Sequence, residues 1–299
     1  MLIAFQQNNS GTGTGAARLE LERETRKWKW NGMLAQSMDC SKCSSQCRLV
    51  KRKGTLYWRC PRKGCQAVVS VRDKSFFAKS KLSLQTILKL AYLWTRQTRV
   101  TTAACEVNVT ESVAIDWFNF YRDVCGQYFL DHPITIGGPG KVVEIDESKF
   151  GKRKYHRGRS VEGHWVFGGI ERGSRESFMM VVPDRSKNTL MPIITQYIRP
   201  GTTVISDEWR SYNDIGISGY THQTVNHSLN FVDPSTGAHT NGVEGYWSCT
   251  KRMMRKQGVM STSNDLFPTY LLEFLWRRRF GDRDLFEALL EHIAEQYPL

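Results

Sequence analysis

The sequence lacks a long, uninterrupted apolar segment. Its longest apolar stretches, at residues 87–94 and 267–276, are well below the roughly 20 residues that a helix needs to cross a bilayer. Residues 1–29 also lack the continuous apolar core and the small-residue cleavage site of a secretory signal. We therefore expect no membrane partner and a reducing compartment, in which structural disulfides are rare.

Acidic residues are scarce where basic residues concentrate. The chain carries 42 Lys and Arg against 29 Asp and Glu, a formal net charge of +13, and its pI is about 9.4. Residues 48–81 contain eleven basic residues and a single acid, Asp73. Because each neutralised phosphate releases counterions, such clustering favours a nucleic-acid partner over a merely basic protein.

The first half of the chain divides into three stretches of different character. Residues 1–37 are polar and are predicted to be a flexible basic extension. Residues 38–81 hold five of the eight cysteines and are predicted to be a zinc-ribbon-like module. In residues 82–136 apolar side chains recur at helical spacing, which predicts a small helical module of two longer helices with a shorter one between them.

The second half changes from helical to strand periodicity after a Gly/Pro-rich linker at residues 137–140. Short β-branched or aromatic runs predict strands at 141–146, 164–170, 177–182 and 202–206. Helices are predicted at 188–197, 266–280 and 284–296. We interpret residues 141–280 as an α/β domain and residues 281–299 as a C-terminal helix.

Four cysteines have the spacing of a zinc site. Cys40 and Cys43 are separated by two residues, Cys60 and Cys65 by four, and sixteen residues lie between the two pairs. Thiolates on two tight turns can close a tetrahedral site, and four protein ligands make it structural rather than catalytic. Cys47 competes with Cys40 as a ligand, and disulfides or unbonded core cysteines are the alternatives. The isolated cysteines, Cys105, Cys125 and Cys249, are expected to be small buried side chains.

The helical module contains a possible helix-turn-helix. A short helix is predicted at 101–106, followed by a turn around Asn108 and an N-cap at Thr110 for a helix that begins at Glu111. This order suits a motif whose second helix enters the major groove of DNA. An ordinary three-helix packing module would show the same apolar stripe.

Three acidic residues stand at predicted element boundaries in the α/β domain. Asp146 follows the apolar run 142–145 and Asp207 follows 204–206, so each is predicted at or near a strand end. Glu244 lies in a turn that leads into a helix. Two Mg²⁺ or Mn²⁺ ions about 4 Å apart can activate the attacking oxygen and stabilise the leaving oxygen of a phosphodiester, and carboxylates are the ligands they prefer. The alternative for each acid is a solvated surface charge.

Basic residues near these acids are candidate DNA contacts. Lys251 lies seven residues after Glu244, about two helical turns, and so shares its side of the helix. The remaining candidates are Lys149, Lys152, Arg153, Lys154, Arg157, Arg159 and Arg252. A solvated loop is the alternative for residues 149–159. His239 and Asn241 could assist near the metals or serve as turn and cap residues.

Several phrases of the second half resemble the Merlin transposase family and its bacterial insertion-sequence relatives. They are EIDESKFGKRKYHRGR (144–159), WVFGGIERGS (165–174), VPDRSKNTL (182–190), VISDEWRSY (204–212) and HTNGVEGYWSCTKR (239–252). The cysteine pairs, WRCPRKGC (58–65) and SVRDKSFFAKSKL (70–82) also look like the N-terminal region of this family. The resemblance covers all but the first thirty-odd residues and the extreme C-terminus.

This resemblance implies a ribonuclease-H-like fold and a DDE triad, onto which Asp146, Asp207 and Glu244 map. Asn241 is the nearest rival to Glu244. The implied activity is metal-dependent cut-and-paste transposition of DNA bounded by terminal inverted repeats, by a homodimer or larger assembly acting on double-stranded DNA. The nucleus is the implied compartment in a eukaryote, and otherwise the cytoplasm. The alternatives are a transposase-derived sequence-specific DNA-binding protein without transposition activity, and a nuclease without strand transfer.

Overall fold

The computed structural model describes residues 33–52, 55–151, 163–226, 232, 237–259 and 265–298. They form two compact units: one comprises the residues up to Lys81 together with those from Ile293 onward, and the other is Leu82–His292. Most of the predicted basic extension, residues 1–32, lies outside the described residues. Met33 and Leu34, within the predicted extension, are buried.

Across the described ranges, no helix has both the length and the apolar character that a membrane crossing requires.

The smaller unit is built on a three-stranded antiparallel sheet. Its strands are β1 (Arg48–Arg52), β2 (Thr55–Arg59) and β3 (Val68–Ser70), in that order across the sheet. Trp58 of β2 is buried with Val71 and three cysteines in one apolar cluster. Because so few residues form this core, the cysteine cluster is a large part of what holds the unit together.

The larger unit begins with three helices in the predicted order. They are α1 (Leu84–Thr95), α2 (Val100–Val107) and α3 (Glu111–Asp131). Asn108 ends α2 in the left-handed conformation at φ 56°, and the Thr110 hydroxyl accepts a hydrogen bond from the Val113 amide at the start of α3. The predicted short helix, turn and cap are therefore confirmed, while a helix-turn-helix role in DNA binding stays a prediction.

A mixed five-stranded sheet forms the centre of this unit. Its strands are β5 (Val142–Phe150), β6 (His164–Glu171), β7 (Ser177–Val182), β9 (Thr203–Asp207) and β10 (Thr221–Val225). The order across the sheet is β10-β9-β5-β6-β7. Strands β5, β6 and β7 form an antiparallel meander, and β9 and β10 add on the other side of β5 as parallel strands. The predicted α/β class is confirmed.

The Gly/Pro-rich segment does not behave as a free linker. Ile136 and Gly137 form a short strand, β4 (Ile136–Gly137), that pairs in parallel with β8 (Ile198–Arg199). The Gly137 amide donates to the Glu171 carboxylate at 2.9 Å, and Gly137 and Gly138 are buried. Composition marks this segment as a connector, but its backbone groups are paired inside the larger unit.

Four helices complete the unit. They are α4 (Lys187–Tyr197), α5 (Asn241–Lys256), α6 (Phe267–Arg279) and α7 (Leu285–Gln296). Helix α6 packs on the N-terminal helices: the Trp94 ring lies 6.0 Å from the Trp276 ring, and the Arg277 guanidinium donates to the Trp94 and Thr95 carbonyls at 2.7 and 2.8 Å. The bond to Thr95 satisfies a carbonyl at the end of α1, and the Trp94 carbonyl also accepts from the Gln97 amide at 2.9 Å. Helix α6 is thereby joined to the N-terminal helices.

Candidate catalytic and metal sites

Asp146 and Asp207 lie on neighbouring parallel strands. Asp207 is the last residue of β9, as predicted, but Asp146 is in the middle of β5, which continues to Phe150. The predicted position of Asp146 at a strand end is therefore wrong. The last pair of the register is Glu144 with Ile205. Asp146 and Asp207 each lie two residues further along their strands, and they are close enough to interact electrostatically.

Glu244 approaches that face from helix α5. It lies in the first turn of α5 and is exposed. Asp146 interacts electrostatically with both Asp207 and Glu244. Among the residues that the structure describes, only four cysteines hold all their potential ligand atoms within 4.8 Å of one another. The three carboxylates are therefore linked by electrostatic interaction, but their oxygens do not all lie within 4.8 Å of one another.

Three hydrogen bonds fix helix α5 along strand β5. They join every second residue of the strand to every fourth residue of the helix: the Val243 amide to Glu144 Oε2 at 2.9 Å, Trp247 Nε1 to Asp146 Oδ2 at 3.0 Å, and Lys251 Nζ to Ser148 Oγ at 2.6 Å. Two strand residues advance about 6.7 Å and four helical residues about 6 Å. Because the two repeats nearly match, three successive contacts hold the helix in one register.

Glu144 anchors the start of this helix. Its side chain is 1% exposed and pairs with Arg172, whose Nε lies 2.6 Å from Oε1. The same guanidinium donates to the His239 carbonyl at 2.6 Å. A Cβ at Gly242 would lie 2.8 Å from Glu144 Oε2, so glycine permits this close approach. His239 and Asn241 belong to this entry into the helix, Asn241 being its first residue.

Trp247 reaches Asp146 because the neighbouring strand carries a glycine. Gly168 pairs with Asp146 across the sheet, and a Cβ there would lie 2.8 Å from the indole of Trp247 and 2.7 Å from the Phe178 carbonyl. The indole therefore lies close to this part of the strand. Its N–H donates to one oxygen of Asp146, whose carboxylate also accepts a hydrogen bond from the Glu147 backbone amide.

The acidic group is electrostatically strained. Burial raises the pKa of Asp146 to about 6, and the neighbouring charges of Asp207 and Glu244 act in the same direction, while the Trp247 N–H opposes them. Burial also raises the pKa of Glu147 to about 7. Such a cluster gains from a bound cation, which favours the ionised carboxylates.

Sequence reasoning missed three residues of this site: Glu144, Glu147 and Trp247. The phrase EIDE contained a usable indication, because Glu144 and Asp146 alternate along a strand and must face the same side. Trp247 could have been found from its position between Glu244 and Lys251 on the same helix. The need for Gly168 beneath it appears only in the packed structure.

The predicted DNA-contacting cations are partly described. Lys251 bonds to Ser148, and burial lowers its pKa. Lys149 Nζ lies 5.5 Å from the centre of the Trp165 ring, and Arg252 is exposed and donates to Cys249 Sγ. The other candidates, Lys152, Arg153, Lys154, Arg157 and Arg159, lie outside the described residues.

The structure brings the four predicted zinc ligands together. Cys40 Sγ lies 3.6 Å from Cys65 Sγ, and Cys43 Sγ lies 3.5 Å from Cys60 Sγ. Tetrahedral zinc with bonds of about 2.3 Å requires sulfur atoms about 3.8 Å apart, so the donor set fits zinc. Cys47 is not in this group.

The isolated cysteines differ from their prediction. Cys125 is buried, as expected, but Cys105 and Cys249 are exposed. Each lies on an outer face of its helix, and this could not be inferred from cysteine's general preference for burial.

Comparison with known proteins identifies the larger unit. Residues 136–279 match the family described as ISXO2-like transposase domain. An uncharacterized transposase-like protein of Haemophilus influenzae is 32% identical over 100 residues, which cover 33% of this chain and 78% of that protein. The crystal structure of the catalytic core domain of BIV integrase aligns with 48% of this chain and 84% of its own at a TM-score of 0.32 and 12% identity, too weak a likeness to establish a common fold. The family match over residues 136–279 and the similarity to the Haemophilus influenzae protein agree with the resemblance in the motifs. The chain belongs to the ISXO2-like family of bacterial insertion-sequence DDE transposases.

Proposed function

We propose that this protein is an active cut-and-paste transposase in which Asp146, Asp207 and Glu244 form the catalytic triad. The observation that supports the proposal is that Asp146 and Asp207 lie on neighbouring parallel strands and interact electrostatically with each other, while Glu244 lies on the helix that is fixed along β5. Structural ion pairs do not explain these acids, because like charges are gathered at the cost of a raised pKa at Asp146.

The donor set suits hard divalent cations. Asp146, Asp207 and Glu244 would hold two Mg²⁺ or Mn²⁺ ions, which when bound supply an activated oxygen nucleophile and charge stabilisation at phosphorus. The open arrangement of the carboxylates leaves Glu244, on the exposed side of its helix turn, as the ligand that adjusts most readily.

The chain's own residues orient the acids. The Trp247 N–H fixes Asp146, and the Trp209 amide donates to Asp207 Oδ1 at 3.0 Å, so each aspartate is held in one orientation. In the proposed reaction, water adds to a phosphorus at the element end as the 3′-oxygen leaves and takes up a proton. That 3′-hydroxyl then attacks a target phosphodiester, which joins element to target and releases the target's own 3′-oxygen.

The remaining parts of the proposal concern fold and DNA recognition. We assign a ribonuclease-H-like topology to the catalytic domain, supported by an antiparallel meander extended by two parallel strands. We assign structural zinc to Cys40, Cys43, Cys60 and Cys65, and an element-end reading role to the zinc-ribbon-like module with helices α1–α3. Transposition brings two ends together, so a homodimer or larger assembly is proposed, working on DNA in the cytoplasm of a bacterial host.

The proposal is tested with purified protein, Mg²⁺ or Mn²⁺, and DNA carrying the inverted repeats that flank the coding sequence. Asp207→Ala should abolish both cleavage and strand transfer. Glu208→Ala is the matched control, because Glu208 is the adjacent acid, is exposed, and accepts its hydrogen bond from Asn226. This control should retain activity.

The two alternatives give different results in the same assay. Specific binding without any cutting identifies a transposase-derived DNA-binding protein. Cleavage products that never join a plasmid target identify a nuclease without strand transfer. Cleavage that survives Asp207→Ala contradicts the proposed triad.

A further inference from the structure

Arg185 lies over two tryptophan rings at the end of the sheet where strand β9 reaches Asp207. Its guanidinium carbon lies 4.2 Å from the centre of the Trp165 ring and 4.4 Å from that of Trp209. Trp165 is on β6, and Trp209 follows Asp207 by two residues. Contact with two indole rings restricts the orientation of the guanidinium and adds cation–π attraction.

The backbone of Arg185 is fixed to the segment after Asp207. Its carbonyl accepts hydrogen bonds from Trp209 Nε1 at 3.1 Å and from Ser211 Oγ at 2.7 Å. The residues on either side of Arg185 are also joined: the Ser186 amide donates to the Asp184 carboxylate at 2.8 Å, at the start of helix α4. The position of the guanidinium is therefore coupled to that of the Asp207 strand end.

Among the described residues, nothing accepts a hydrogen bond from this guanidinium. Within the described part of the chain, Arg185 makes neither an ion pair nor a side-chain hydrogen bond, and Glu147 interacts with it only at a longer electrostatic range. The two ring contacts thus leave its N–H groups without an acceptor in the described part of the chain. This is the geometry that binds a planar or tetrahedral oxyanion through two parallel hydrogen bonds.

A second cation lies beside the same indole. Lys149 Nζ is 5.5 Å from the Trp165 ring, and Lys149 pairs with Trp165 across the sheet. Strand β9 ends at Asp207 at this same end of the sheet. Two cations and two tryptophans thus lie at the end of the sheet where β9 reaches Asp207. Lys149 and Trp165 point to the sheet face opposite Asp146, because side chains alternate along a strand.

We propose that Arg185 binds a backbone phosphate of the DNA strand that enters the carboxylate site. The proposal rests on the proposed function for its location, and it adds a residue and a contact that the triad does not include. The phosphate belongs either to the element end or to target DNA, and both present the same oxyanion to the guanidinium.

The test is a binding measurement on the full-length protein without divalent metal, so that its outcome does not depend on cleavage. Two fluorescein-labelled duplexes serve as probes, one with the flanking inverted repeat and one of mixed sequence, titrated over a range of salt concentrations. Arg185→Gln should weaken binding about tenfold and lower the salt slope of log Kd by about one. Arg175→Gln is the control, because Arg175 is exposed and lies at the opposite end of β6 and β7.

The probes and a second variant separate the possible results. Loss on the repeat duplex assigns the phosphate to the element end, loss on the mixed duplex assigns it to target DNA, and loss on both supports a shared contact. Arg185→Lys should keep the salt slope but lose affinity, since lysine keeps the charge without the fork. Identical isotherms for Arg185→Gln and Arg175→Gln at every salt concentration overturn the proposal, even if the protein cleaves DNA; a lower Tm without any change in binding does so too.

Discussion

The Trp247 indole donates its N–H to Asp146 Oδ2 at 3.0 Å, which ties a proposed catalytic carboxylate to the helix that carries Glu244. The contact is the middle one of three along β5 and α5. Any displacement of this helix would therefore change both the orientation of Asp146 and the distance to Glu244. This coupling makes the helix register a determinant of the proposed activity and leads to separate tests.

Replacing Trp247 by Phe should slow DNA cleavage about tenfold while the protein stays folded. Phe keeps the aromatic packing against Phe150 and Tyr246 but removes the N–H, a hydrogen bond to a charged group that contributes about 1.5 to 3 kcal/mol. The measurement is the cleavage rate over a series of Mg²⁺ concentrations. An unchanged rate at every concentration would show that Asp146 needs no such orientation.

Glu144→Gln should destabilise the protein by about 3 kcal/mol or more, because it leaves the Arg172 charge without its buried partner. Glu176→Gln is the control: Glu176 pairs with Arg279 but its side chain is 37% exposed, so its loss should cost at most about 1 kcal/mol. Urea unfolding at neutral pH measures both free energies. Equal effects of the two substitutions would contradict the anchoring role of Glu144.

Gly168→Ala should destabilise the protein by about 1 to 3 kcal/mol and lower cleavage, because the added Cβ meets both the Trp247 indole and the Phe178 carbonyl. Gly245→Ala is the matched control. A Cβ there meets nothing within 4 Å, so alanine in helix α5 should stabilise the protein by up to about 1 kcal/mol. Thermal unfolding should show a lower Tm for Gly168→Ala and a higher Tm for Gly245→Ala. An unchanged Tm for Gly168→Ala would refute the close approach of the Trp247 indole to Gly168.

Without divalent metal, stability should fall as pH rises through the raised pKa of Asp146. The usual value of 3.8 is raised to about 6 in the folded protein, so the folded state binds the proton more tightly than the unfolded state. The stabilising contribution is complete below about pH 4 and is lost as the pH passes about 6. Asp146→Asn should therefore raise Tm at about pH 8 and have little effect at about pH 4.

Metal provides the control for that pH experiment. Mg²⁺ should raise the Tm of the wild type at the higher pH and reduce the advantage of Asp146→Asn, since the cation replaces the proton as the partner of the carboxylate. If the Tm of the wild type and of Asp146→Asn changes with pH in the same way, the pKa of Asp146 is not raised in the folded protein.

Cys40→Ser should lose zinc, whereas Cys47→Ser should retain one ion per chain. Both residues are buried cysteines of the same unit, but only Cys40 belongs to the four-sulfur group. Elemental analysis of the purified proteins measures the stoichiometry. If Cys40→Ser retains zinc and Cys47→Ser loses it, Cys47 rather than Cys40 is the zinc ligand.

Local pattern was sufficient for most of the secondary structure. The helical spacing of residues 82–136, the cap at Thr110 and the strand at 177–182 follow from interactions between residues close in sequence, and the structure reproduces them. Local pattern is not sufficient where strand pairing determines the structure. Strand β10 is polar and is defined by its parallel neighbour β9. Gly137 has the sequence context of a linker, although its amide is bonded to Glu171.

The sequence by itself determined the α/β class, the four-cysteine spacing and the protein family whose motifs contain the three acids, because composition, periodicity and motif spacing are properties of the chain. Only the tertiary structure decided that Asp146 lies within strand β5, that Glu144 and Trp247 hold helix α5 beside that strand, and that two tryptophan rings contact Arg185. These facts depend on residues up to 101 positions apart meeting in one register, which sheet pairing and side-chain packing fix together.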